Sequence, residues 1–162
     1  MSNIIELLIR RGADPSLSSI PYPALCFAVS AGDIKIVKLL LEKGVDVNAP
    51  MPPKYNSLTP LCLACGVQGE IGPELVKLLL DSLADPNAAS DISTEYLSMC
   101  EEGWGKDRIS EELDGLVVGR TPLHIACARD DMYAVKVVKL LLEHSANPNL
   151  VCNVNMILFY II

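Results

Sequence analysis

One stretch constrains this chain more than any other. Residues 36–48 read IVKLLLEKGVDVN, an apolar helical stem that runs into a glycine and then an acidic turn. Related stretches read IIELLIRRGAD at 4–14, LVKLLLDSLADPN at 75–87 and VVKLLLEHSANPN at 137–149. A unit this short cannot bury its apolar stripe alone, so it must stack on copies of itself, and the recurrence predicts a quasi-linear array. The helix-end positions Gly12, Gly44, Leu83 and Ser145 are separated by 32, 39 and 62 residues. The first step lies within one residue of a basic period of about 33. The second is lengthened by three residues in the loop before Thr59 and by three in the turn GVQGEIGPE. The third contains ARDDMYAVK, also three residues longer, and a large insertion between Asn87 and Thr121.

Local chemistry places the helices. Residues 3–11 carry the stripe Ile4, Ile5, Leu7, Leu8 and Ile9, and Gly12 suits the left-handed conformation that ends a helix. Residues 24–31 form a short helix; Gly32-Asp33 breaks it and caps a second helix over 34–43, which ends at Gly44. The loop 49–57, APMPPKYNS, is too rich in proline to extend either helix. Leu83 and Ser145 occupy the slots where glycine ends the other stems; a left-handed backbone there costs about 1 kcal/mol each, so those repeats should be the less stable. The leucine triplets 39–41, 78–80 and 140–142 are expected to line adjacent inner helices.

Two helix starts read TPLCLAC at 59–65 and TPLHIAC at 121–127. Threonine can cap, and proline is tolerated in the first turn, where its missing N–H is not needed. The small residues Ala64, Cys65, Ala126 and Cys127 let the short helix lie close to a neighbour. TPLHIA, a turn, VVKLLLE and a closing ANPN together resemble the ankyrin repeat, over residues 3 to about 149. The resemblance implies an all-α ankyrin-repeat solenoid of helix-turn-helix units with hairpin-like loops. It would comprise a partial repeat over 3–18 and repeats over about 20–50, 57–89 and 119–150, with an insertion over 88–118 and a divergent tail over 151–162. The segments LTPL, GEIGPELVKLLLDSLADPNA and RTPLHIACARDDMYAVKVVKLLLEHSANPNL, with the long acidic insertion, are similar to the ankyrin section of ankyrin-repeat and MYND-zinc-finger-containing proteins. Members of that group can carry a C-terminal zinc module that binds proline-containing peptides. No MYND cysteine array occurs in this sequence, so the zinc function is not carried over.

Charge narrows the partners. The net charge is -7, and the insertion alone, with eight acidic and two basic residues, accounts for -6. Binding to a phosphate backbone needs a surplus of Lys and Arg, so nucleic acid is not expected. High charge and low hydrophobicity predict a mobile loop over 88–118, with a helical turn at 111–116. No apolar run reaches the roughly 20 residues that span a bilayer. The start, MSNIIELLIRRG, shows no signal peptide, so the six cysteines are expected to be reduced thiols in an intracellular, cytoplasmic protein. After Asn149 a further first helix would be due near residue 157. The chain instead reads VCNVNMILFYII, uncharged and aggregation-prone, and the tail reads as an artificial, spliced or prematurely ended terminus.

Candidate chemistry is sparse. Cys62 and Cys65 form a CxxC, but a structural zinc needs a second pair, and both cysteines match interior helix positions. Cys127 matches Cys65, which supports packing; Cys100 is the cysteine expected to be exposed. By resemblance, His124 makes a structural hydrogen bond with Thr121. His144 lies in a last helical turn, where positive charge is favoured. Asp46-Asn48 and Asp85-Asn87 read as turn caps, since a calcium loop needs a denser pattern with a closing glutamate. There is no phosphate loop, dinucleotide fingerprint or nucleophile elbow, and neither an enzyme, a cofactor nor a metal site is expected.

The resemblance implies protein–protein recognition through the concave face and loop tips. Carried over by position, the contact candidates are Tyr22, Ser30, Ala31, Met51, Lys54 and Tyr55, with Arg129 and Asp130 in the last repeat. Tyr55 and Trp104 are the best anchors, because aromatic residues dominate interface energetics. The alternative is a truncated fragment without independent binding function, whose uncapped ends self-associate, since repeat arrays usually need polar caps.

Overall fold

The computed structural model describes residues 2–15, 23–90 and 119–150. Seven α-helices occur among them: α1 Ser2–Arg10, α2 Ala24–Ser30, α3 Ile34–Glu42, α4 Pro60–Gly66, α5 Ile71–Asp81, α6 Pro122–Cys127 and α7 Ala134–Glu143. The described residues contain no strand. Tyr22, Cys100, Trp104, Cys152 and the expected turn at 111–116 lie outside them.

The helices pair and stack as the repeats require. Each short helix packs on the longer one that follows: α2 on α3, α4 on α5, α6 on α7. The short helices form one row, α2–α4–α6, and the longer ones a second row, α1–α3–α5–α7. α1 therefore occupies the second-helix place of a partial unit. One continuous core runs between the rows, with Leu25, Val29, Val37, Leu40, Leu61, Leu75, Val76, Leu79, Val137 and Leu141 buried. Alanines 28, 64 and 126, one on each short helix, are buried in this seam and keep the helices close.

The leucine triplets meet the core through their middle members. Leu40, Leu79 and Leu141 are fully buried, whereas Leu142 is 46% exposed. At 3.6 residues per turn, three consecutive side chains spread over about 200° of the helix, so the outer members are covered less fully than the middle one. Leu80 is buried as well, and Leu39, Leu41, Leu78 and Leu140 are partly buried against the same core, so the triplets line the inner row as expected except at Leu142.

Helix ends follow their capping chemistry. The Asp33 carboxylate accepts the Ile36 N–H at 3.2 Å, and the Thr59 hydroxyl accepts that of Cys62 at 3.2 Å. Gly12, Gly32 and Gly44 have positive φ. Leu83 and Ser145 share that conformation, each with φ of 67°. Both have a Cβ, so both carry the steric cost expected from sequence. The proline-rich loop makes one 3-10 turn, Pro53–Tyr55, closed by left-handed Asn56 and Ser57 and by a Met51 N–H bond to the Leu58 carbonyl at 2.9 Å.

Candidate binding surface

The surface is built from the row of short helices and the loop tips beside it. Along each short helix, the third position after the cap is tied to a loop or cap. Cys26 Sγ donates to the Ala49 carbonyl and Cys62 Sγ to that of Ala88, each at 3.6 Å. His124 fills the same place in α6. Its Nδ1 accepts the Thr121 backbone N–H at 3.3 Å and lies 2.8 Å from the Thr121 hydroxyl, while the His124 N–H donates back to that hydroxyl at 3.4 Å. An accepting Nδ1 places the ring proton on Nε2. This is a capping box with imidazole in place of the usual carboxylate.

The CxxC pair is packing. Cys62 and Cys65 are buried, and burial raises both thiols above their ordinary value; Cys26 is pushed up to about 12 by burial and by nearby Cys62. Such thiols are poor nucleophiles. No group of three or more His, Cys, Asp or Glu side chains is placed to hold a metal among the described residues. Cys127 departs from its counterpart. Cys65 is covered by the neighbouring hairpin, whereas Cys127 is exposed, because α6 ends the row among the described residues. The packing role inferred from its match to Cys65 is corrected on that ground.

Loop tips are joined by a ladder that the turn-cap reading missed. Asp46, Asp85 and Asn147 each accept the N–H two residues on, at 2.9, 2.8 and 2.9 Å, as turn caps do. The Asn two residues later reaches into the next unit: Asn48 Oδ1 accepts the Asp85 N–H at 2.8 Å, and Asn87 Oδ1 accepts that of Asn147 at 2.7 Å. Asn87 Nδ2 also donates to the Ser145 carbonyl at 3.3 Å. The available signal was the recurrence of Asn at one place in each tip.

The contact candidates divide. Ser30 and Ala31 are exposed at the end of α2, Tyr55 is 45% exposed on the 3-10 turn, Met51 is half-buried and Asp130 is exposed. Lys54 lies in the same 3-10 turn as Tyr55. Phe27, which sequence reasoning passed over, is 55% exposed one helical turn before Ser30. Arg129 is turned inward. Its side chain is 7% exposed, Nη1 donates to the Cys65 carbonyl at 2.9 Å and Nη2 pairs with Asp131. That hydrogen-bonded arginine holds the Asp131 carboxyl below its ordinary value.

Comparison with known proteins agrees with this geometry. A family model described as ankyrin repeats, three copies, matches residues 1–90, and one for a single ankyrin repeat matches 118–153. The chain belongs to the ankyrin-repeat family, a class of helical arrays whose typical role is protein binding and whose members are generally non-enzymatic. It is 41% identical to human ankyrin repeat and MYND domain-containing protein 1 over 90% of this chain and 39% identical to the mouse protein over the same share. It is 31% identical over 77% of its length to an ankyrin repeat, SAM and basic leucine zipper domain-containing protein from Carollia perspicillata. The chain spans only 17%, 18% and 20% of these relatives' lengths.

Proposed function

We propose that this array is a docking module for a protein or peptide, bound along the short-helix row and the neighbouring loop tips. The observation that carries it is the placement of α2, α4 and α6 in one row, with Phe27, Ser30 and Ala31 exposed at its start and Tyr55 on an adjoining tip. Asp130 extends the surface to the last hairpin. Tyr22, Lys54 and Trp104 belong to the same reading on sequence grounds. The division into an array over 1–150, an insertion over 88–118 and a tail over 151–162 goes with it. So does an intracellular location, which fits the unpaired cysteines of the described residues. No catalytic role is part of this reading.

The test is photo-crosslinking from position 55 in cells, with identification of the captured protein. Binding is then titrated with the parent chain and with Tyr55→Ala, Phe27→Ala and Ser30→Arg. Loss of affinity by about tenfold or more in Tyr55→Ala or Ser30→Arg supports the surface. Unchanged affinity in all three variants sinks it.

A second reading is self-association through exposed apolar side chains. Ile4, Leu7 and Leu8 are exposed on α1, and Met132 and Val135 before and on α7. Sedimentation over a concentration series decides it. Mass that grows with concentration, and returns to the monomer value in Val135→Glu or Leu8→Glu, supports association; a constant monomer mass excludes it.

A further inference from the structure

Two of the hairpin turns are lengthened, and one side chain joins them. The turn between α4 and α5 and the turn between α6 and α7 each carry three extra residues relative to the basic period. Arg129 projects from the second turn. It crosses to the C-terminal end of α4, where Nη1 bonds the Cys65 carbonyl, a residue 64 positions earlier. Nη2 is held by Asp131, whose other oxygen accepts the Tyr133 N–H at 3.0 Å and so ties the guanidinium to the cap of α7. Gly72, in the first turn of α5, makes room. A Cβ there would run into the Val67 carbonyl and approach Arg129 Nη1 to 3.4 Å.

The feature is confined to one junction of the described array. Counted from the caps Pro23, Thr59 and Thr121, Arg129 corresponds to Ala31 and Val67, neither of which can make such a bond. The junction is also the one interrupted by the insertion, where chain continuity does least to hold two hairpins in register. Burial leaves Arg129 Nε without a hydrogen-bond partner. An unsatisfied donor has a cost, so a simple packing residue would serve better if cohesion alone were required. A two-armed guanidinium gives direction: one arm reads a carbonyl on α4, the other a carboxylate at the start of α7.

We propose that Arg129 is a positioning residue, a latch that fixes the α6–α7 hairpin in register on the α4–α5 hairpin across the insertion. The exposed Asp130 beside it is thereby presented at a set place on the surface. The inference concerns register between hairpins and stands whether or not that surface binds a partner.

The test is amide hydrogen exchange on the full chain, with Arg129→Met, Arg129→Lys and Asp131→Asn compared with the parent. Exchange in α6 and α7 should speed by about tenfold in Arg129→Met, the effect of losing a buried charge-assisted bond, while α2 and α3 keep their protection. Lysine keeps the charge but not the fork, so it should fail to restore the parent pattern. Asp131→Asn, which leaves the Cys65 bond in place, should show a smaller change in the same segment. If Arg129→Met fails to fold, Arg129→Lys and Asp131→Asn carry the reading. Rates in α6 and α7 within about twofold of the parent in the folded Arg129 variants overturn the latch, as does equal loss in all hairpins.

Discussion

Two helix-ending residues hold a conformation that their side chains resist. Leu83 and Ser145 end α5 and α7 at φ of 67°, where Gly44 ends α3 at 75°. Leu83 is also 85% exposed, so no core contact offsets the strain. Replacing either by glycine relieves about 1–2 kcal/mol of steric cost and adds about 0.5–1 kcal/mol of chain entropy. Leu83→Gly and Ser145→Gly should each raise the unfolding free energy by a net of about 0.5–1 kcal/mol, read from a higher denaturation midpoint. Gly44→Ala should lower it by about 1 kcal/mol, and unchanged midpoints in all three would remove the strain argument. His124 is a second test at this scale. Its ring caps Thr121 from inside the helix, so His124→Ala should destabilise by about 1 kcal/mol, read from urea unfolding, with faster exchange of the Thr121 amide.

Between elements, stability depends on bonds that cross from one hairpin to the next. Asn87 makes two of them, to the Asn147 N–H and the Ser145 carbonyl. Asn87→Ala should cost about 1–3 kcal/mol and open the Asn147 amide to exchange before the helices lose protection. Asp131 sets a pH dependence. Its folded pKa lies below the ordinary 3.8, chiefly because Arg129 hydrogen-bonds its carboxylate. The contribution is therefore complete above 3.8 and is lost as pH falls through the lowered value. A carboxyl titration by NMR should give a midpoint below 3.8 in the parent, moved back towards 3.8 in Arg129→Met.

At the scale of the whole molecule, the array is closed at the foot of its insertion. The Ser90 N–H bonds the Arg120 carbonyl at 3.0 Å, and the Arg120 N–H bonds Ser90 Oγ at 3.1 Å. A Cβ on Gly119 would run into the Ser90 carbonyl, so glycine is required at this crossing. Replacing residues 91–118 by one asparagine would leave Asn-Gly between Ser90 and Arg120, the sequence of a tight hairpin turn. That variant should fold with a melting temperature within a few degrees of the parent, measured by circular dichroism. A fall of about 10 °C or more would mean that the insertion itself supports the array.

Most of the architecture was legible because it is periodic. Recurring stems, Thr-Pro helix starts and glycine or its substitutes at fixed places define local structure, and local structure repeated at one spacing leaves few ways to stack. The Leu83 and Ser145 conformations followed from the same register. What escaped was relational. Arg129 is a polar residue in a loop, and nothing local says that a carbonyl 64 residues earlier will take its guanidinium into the interior. Phe27 lies in an apolar helix, yet it points outward because Leu25, Cys26, Ala28 and Val29 already fill the inward side. Cys65 and Cys127 hold matching positions in TPLCLAC and TPLHIAC, yet one is buried and the other exposed, according to whether another hairpin covers them. Period and capping are properties of neighbours along the chain, so the sequence alone determined the repeat, the helices and the family. Burial and cross-repeat bonding depend on which surfaces meet in space, so only the stacked structure decided which side chains hold the array together and which remain on its surface.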